Sequence, residues 1–170
     1  MGYTTDLFGR FDLSRPLTGI ERNYINDFSE TRRMGRKVDE LMETYKGRGG
    51  FPFEDDTIVR TPEEIYGVDG AYYIGEDACI KDYNQPPLGQ PGLWCQWVTN
   101  EEGTQIEWDG NEKFYHYTEW IEYLIEHFFK PWGVVVNGEI EWVGEDRSDV
   151  GMIRITDNEV QELNGTITYK

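Results

Sequence analysis

"LWCQWVTNEEGTQIEWDGNEKFYHYTEWIEYLIEHFFKPWG" spans residues 93–133, and its reading decides the fold. The first half holds two β-type runs, LWCQWV (93–98) and TQIEWD (104–109), around NEEG, which is the pattern of an antiparallel hairpin. Strand alternation sets Leu93, Cys95 and Trp97 on one face and Trp94, Gln96 and Val98 on the other, with Ile106 and Trp108 pointing together. The second half changes period. Phe114, Tyr117, Ile121, Leu124 and Phe128 recur at helical spacing, widened by Trp120 and Ile125, while Glu119, Glu122 and Glu126 lie toward the opposite side. This predicts a helix over about 111–129, capped by Asp109 or Asn111 and stopped by Pro131.

Upstream, YTTDLFGRFDL (3–13) reads as a strand closed by Pro16. Thr18 and Glu21 fit a capping box, so a helix starts there, with Ile20, Tyr24, Ile25 and Phe28 as its apolar stripe and its end near Met34. Val38, Leu41, Met42 and Tyr45 predict a second short helix over 37–46. An irregular, Gly- and Pro-rich insert follows at about 47–92, holding one short strand at AYYI (71–74). Downstream, GVVV, Asn137-Gly138 and EIEWV read as a two-residue hairpin of type I′. MIRIT and EVQEL around Asp157-Asn158 predict another, and Asn164-Gly165 before TITY a third. The order predicts a single α+β domain over 1–170. Its βαββαβ core is the ferredoxin-like plan, an antiparallel sheet with helices on one face, plus the C-terminal hairpins and the irregular insert.

The charge is strongly acidic and unevenly placed. The whole chain carries 33 Asp and Glu against 16 Lys and Arg, a net charge of −17. Residues 1–50 hold 9 basic and 8 acidic residues, a net of +1, so residues 51–170, with 7 and 25, carry −18. Such a surface repels nucleic-acid and membrane phosphates, so neither is an expected direct partner. Aromatic residues make up 15% of the chain, too many for a disordered acidic protein. No apolar run approaches the ~20 residues that cross a bilayer, and the N-terminus lacks the basic-then-apolar order of a signal peptide. Two cysteines, Cys79 and Cys95, make no disulfide framework or metal knuckle. The expected location is the cytoplasm of the producing cell, or of a host cell.

Motifs of catalysis are missing. His116 and His127 share a helix face but lie ~16 Å apart along it, too far to hold one metal. There is no nucleophile elbow, no phosphate loop and no zinc pattern, so no cofactor and no metal is expected. The basic run TRRMGRK, with Arg32, Arg33, Arg36 and Lys37, reads as a solvated helix end. What remains is aromatic. DYNQPPLGQPGLWCQW (82–97) joins a loop stiffened by Pro86, Pro87 and Pro91 to a Trp-rich strand, which suits a preformed wall and equally a loop that crosses a sheet edge.

Five stretches resemble an uncharacterised family of small acidic proteins found in bacterial and bacteriophage genomes. They are MGYTTDLFGRFDLSRPLT at the start, FSETRRM at 28–34, DYNQPPLGQPGLWCQW at 82–97, IEWDGNEKFYHYTEWIEYLIEHFFKPWG at 106–133 and NGEIEW at 137–142. The resemblance covers most of the chain except about 44–75 and the C-terminal tail. It implies no activity, and its phage members imply a host-takeover or counter-defence role.

Three functional expectations follow. The first is a non-enzymatic protein that holds a small nucleotide-like ligand or a host protein on a Trp- and Tyr-rich surface. Asp82 and Asn84 would orient the ligand, and Tyr83, Trp94, Trp97, Trp108 and Tyr115 would stack on it. The second is an acidic inhibitor that occupies a nucleic-acid-binding surface on another protein through Glu119, Glu122, Glu126, Glu139 and Glu141. The third is a small hydrolase built on Glu107, Asp109 and His116. A homo-oligomer is compatible with each.

Overall fold

The computed structural model describes residues 2–47, 61–68 and 79–170. Strand β1 (Thr5–Leu13) is followed by helix α1 (Gly19–Glu30), the short strand β2 (Gly35–Arg36) and helix α2 (Val38–Gly47). A four-residue helix α3 (Pro62–Ile65) and strand β3 (Ile80–Asp82) precede the hairpin of β4 (Trp97–Thr99) and β5 (Gln105–Trp108). Helix α4 (Tyr117–Leu124) continues as a π-helical turn over Ile125–Phe129, and β6 (Val136–Gly144), β7 (Val150–Thr156) and β8 (Glu159–Asn164) end the chain's regular structure. The fold is α+β. Six strands form one antiparallel sheet in the order β4-β5-β1-β6-β7-β8, and β2 pairs with β3 in a separate small ribbon. Among the described residues no helix is long and apolar enough to cross a membrane.

The sheet buries one face. Leu7, Phe11, Trp97, Ile106, Ile140, Trp142, Ile153 and Ile155 form a single cluster with Tyr24, Ile25 and Phe28 of α1 and Trp120, Ile121 and Leu124 of α4. Phe28 meets Trp120 and Phe128 edge-on, with ring centroids 5.8 and 5.1 Å apart, so the two helices pack on each other as well as on the sheet. The other sheet face is open and carries Phe8, Arg10, Glu139, Glu141 and Arg154. A smaller cluster of Leu41, Tyr45, Ile65, Tyr66 and Cys79 sits under α2 and α3.

Several expectations hold. The Thr18 hydroxyl accepts from the Glu21 N–H (3.2 Å) while the Glu21 carboxylate accepts from the Thr18 N–H (2.8 Å), the reciprocal box read from the sequence. The β4–β5 hairpin forms, with Trp97 opposite Trp108, and the Asp157-Asn158 hairpin forms with both turn residues at positive φ.

Others are corrected. The first run is a strand only from Trp97. Cys95, Gln96 and Trp97 are buried in succession, because the chain before Trp97 packs against residue 33 rather than alternating in a sheet. The strong helix starts at Tyr117, not 111. Lys113 and His116 take left-handed backbone angles (φ 59° and 58°), and Asp109 caps its own turn through Asn111 instead of a helix. Helix α1 stops at Glu30, and Ile20 is exposed because the first turn overhangs the core. In α2 only Leu41 and Tyr45 are buried, because the small cluster below covers a narrow strip, leaving Val38 and Met42 in water.

The Asn137-Gly138 turn does not exist. Both residues lie inside β6, which pairs with β1 from Thr5–Gly144 to Leu13–Val136. A Cβ at Gly138 would stand 3.0 Å from Arg10 O and 3.2 Å from the Phe11 Cα, so the glycine admits the β1 backbone. The Asn137 Oδ1 accepts from the Asp157 N–H (2.8 Å) and steadies the next hairpin. TITY forms no third strand; the chain leaves the sheet after Asn164. AYYI lies outside the described residues.

Candidate functional site

Residues 83–96 fold against the turn that follows α1. The Gly35 N–H donates to Gln85 O and the Arg33 N–H to Leu93 O, both at 2.7 Å, and Arg32 Nε donates to Tyr83 O at 3.1 Å. With Pro86, Pro87 and Pro91 fixing φ, the loop is a stiff wall. Facing it is the connection from β5 to α4, residues 109–116. Between them runs a groove of about 910 Å³, a size that suits a small-molecule site.

Pro86, Pro91, Trp94, Tyr115 and His116 give the groove its apolar and aromatic walls, and Gln96 and Asp109 add polar groups. Trp94 is 40% exposed and Tyr115 is held at the rim, where its hydroxyl accepts from the Tyr3 N–H (3.0 Å). The Gln96 amide is locked on both sides: Nε2 donates to Glu112 O (2.9 Å), and Oε1 accepts from Trp108 Nε1 (3.1 Å). Gly92 leaves the floor open. A Cβ there would lie 3.4 Å from His116 and 3.5 Å from Trp120 Nε1, a buried donor with no hydrogen-bond partner among the described residues.

A second cavity of about 460 Å³ adjoins the first, lined by Asp27, Arg32, Arg36, Tyr66 and Tyr83 among others. Trp94 and Glu30 belong to both walls. Arg32 lies over the Tyr83 ring at 4.0 Å and Arg36 over the Tyr66 ring at 3.6 Å. Burial, and then Glu30, raise the Asp27 pKa.

The expected ligand residues divide. Trp94, Tyr115 and Tyr83 reach the two cavities. Trp97 does not: it is fully buried between Phe11 and Phe114, with Nε1 donating to Tyr117 O (2.9 Å). Trp108 is half-buried against the core and acts through Gln96. Asp82 accepts from the Asn84 N–H (2.9 Å), so this pair closes a turn behind Tyr83 and lines neither cavity.

The basic run is not a solvated helix end. Arg33 is fully buried, and Arg36 is only 4% exposed. Arg33 lies over the Phe28 ring and donates to the carbonyls of Thr31, Glu64 and Tyr66 at 3.1, 3.2 and 2.7 Å. Desolvation lowers its pKa to about 10, which leaves it charged at neutral pH. Arg32, Arg36 and Tyr66 are wall residues absent from the sequence-based sets, whereas Pro86 and Pro91 were read as wall and His116 only as part of the hydrolase set.

The acidic set is split. Glu119, Glu122 and Glu126 lie on the outside of the helix layer, whereas Glu139 and Glu141 lie on the open sheet face, Glu139 tied to Arg154 at 2.8 Å. The hydrolase set is split too. Asp109 and His116 share the groove, but Glu107 faces away and pairs with Arg10 at 3.0 Å. Burial pushes the Cys95 thiol up to about 12, so it is no nucleophile at neutral pH. Among the described residues no group of three or more His, Cys, Asp and Glu could hold a metal ion. In comparisons with protein-family models, curated proteins and solved structures, the chain matches none.

Proposed function

We propose that the protein is a non-catalytic binding protein that takes a small nucleotide-like ligand in the groove beside Trp94. One observation carries this: a half-exposed tryptophan forms the shared wall of two adjoining cavities, one apolar and one holding two arginines. A large aromatic normally buries itself, so leaving it in a concave site suits stacking on a flat partner. The groove is preformed, because backbone hydrogen bonds and prolines hold its wall without a ligand. The acidic-inhibitor alternative is less supported, since its carboxylates lie on two sides of the molecule.

The ferredoxin-like plan belongs to the same proposal. The order β4-β5-β1-β6, with a helix after β1 and another after β5, supports it. Two free, buried cysteines suit a cytoplasmic protein, in the producing cell or a host. A sequestering protein of this kind suits the counter-defence role that the resemblance to phage proteins implies.

The test is a fluorescence titration against nucleotides, cyclic dinucleotides and ADP-ribose derivatives. At least one should bind, and Trp94→Ala should weaken it by roughly tenfold or more, the weight of one stacking ring. Its stability should fall by less than ~1 kcal/mol, because the side chain is already part-solvated. Flat titrations across the panel would overturn small-ligand binding.

A further inference from the structure

The two cavities differ in chemistry, and the difference matches the parts of one ligand class. In the larger, Trp94, Pro86, Pro91 and Tyr115 offer apolar surface to a planar group. In the smaller, two guanidinium groups are held by rings and the backbone and keep donors unused. The Arg36 Nη1 donates to Met34 O (3.2 Å), while its Nε is buried with no acceptor among the described residues. Arg32 spends its Nε on Tyr83 O, and its terminal nitrogens carry no hydrogen bond among the described residues. A buried donor without an acceptor is costly, so an anionic oxygen arriving there would be favoured. At the junction stands Glu30, a lining residue of both cavities and an acceptor for hydroxyl groups. Asp27 also lines the smaller cavity, so its carboxylate shares that space with the two arginines.

We infer that the ligand is a nucleoside phosphate, its base stacked on Trp94, its ribose hydroxyls on Glu30 and its phosphate on Arg32 and Arg36. This rests on the proposal that the groove binds a small ligand, and it adds the charged half of the site. Arg is suited to the role because its planar fork matches phosphate oxygens and its stacked ring fixes its orientation.

Calorimetric titration of the whole chain with the four ribonucleoside 5′-monophosphates, the matching nucleosides and inorganic phosphate tests it. At least one monophosphate should bind roughly tenfold to a hundredfold more tightly than its nucleoside, the weight of charge-assisted hydrogen bonds. Arg32→Gln and Arg36→Gln should each narrow that gap while leaving nucleoside affinity unchanged. Arg36 is buried, so near-ultraviolet circular dichroism must show that variant folded; if it is not, the more exposed Arg32→Gln carries the test. Equal binding of nucleoside and monophosphate, both lost in Trp94→Ala, would overturn the phosphate assignment and leave the aromatic groove standing. Inorganic phosphate binding as tightly as any monophosphate would overturn the two-part ligand. No binding by any of these compounds would overturn the nucleoside phosphate, and a flat response to the wider panel would overturn the groove as well.

Discussion

Gly138 shows how one residue type can be read correctly for the wrong reason. Asn-Gly signals backbone at positive φ, and Gly138 has φ 138°. The dipeptide was expected to reverse the chain, but the glycine instead sits inside a nine-residue strand where β1 presses close. A side chain there meets both backbone strain and the Arg10 carbonyl. Gly138→Ala should therefore cost about 1–3 kcal/mol, measured by urea denaturation. Trp94 was legible as a candidate because proline-rich loop and aromatic strand meet at it. Arg36 was not, since its burial comes from Tyr66, 30 positions along the chain, and no local pattern announces that contact.

At the scale of elements, helix α4 was legible from its register and its end and misjudged at its start. The stripe was right: Phe114, Ile121, Leu124 and Phe128 are buried, and Tyr117 is half-buried. The start was missed because the left-handed angles at Lys113 and His116 are set by the groove connection, not by helix propensity. The end falls at Phe129, as the stop at Pro131 predicts, but the last turn widens. Lys130 N–H donates to Ile125 O and Val134 N–H to Phe129 O, five residues back, and this slower rotation lets the adjacent Phe128 and Phe129 both face the core. Leu124→Ala should cost ~2–5 kcal/mol at any pH, the range for truncating a buried leucine. Glu122 behaves differently. Burial, and then Glu119 and Glu162, raise its pKa. Stability linked to this group is complete below the unfolded glutamate value of about 4.3 and declines as pH rises through the raised folded value. Glu122→Gln should therefore match or exceed the parent protein at pH 7 and lose that advantage near pH 4. Urea melts at the two pH values check both variants, and a Glu122→Gln loss as large as that of Leu124→Ala would disprove the helix register.

At the scale of the whole molecule, residues 61–68 join the rest of the fold through charge in an otherwise apolar setting. Arg33 grips their carbonyls, while the buried Glu64 carboxylate accepts from the Tyr123 hydroxyl (2.6 Å) and lies 2.9 Å from His127 Nδ1. Arg33→Met would leave those carbonyls buried without donors and should cost about 3–5 kcal/mol, the range for breaking a buried charged network. Hydrogen exchange should show the loss first in residues 61–68. None of this was legible in the sequence, because an arginine beside a second arginine looks like solvated charge unless its distant acceptors are known.

The β1–β6 pairing also sets a timetable. The middle of the sheet joins residues 5–13 to residues 136–144, so the two strands that hold its centre are made about 130 residues apart. On a ribosome, β1 lacks its β6 partner until about 130 further residues have been synthesised. Such long-range closure makes folding slow, on the millisecond-to-second scale common for non-local β pairing. Until then Leu7 lacks its cross-strand neighbour Trp142, and apolar surface of this kind left open in a nascent chain favours association.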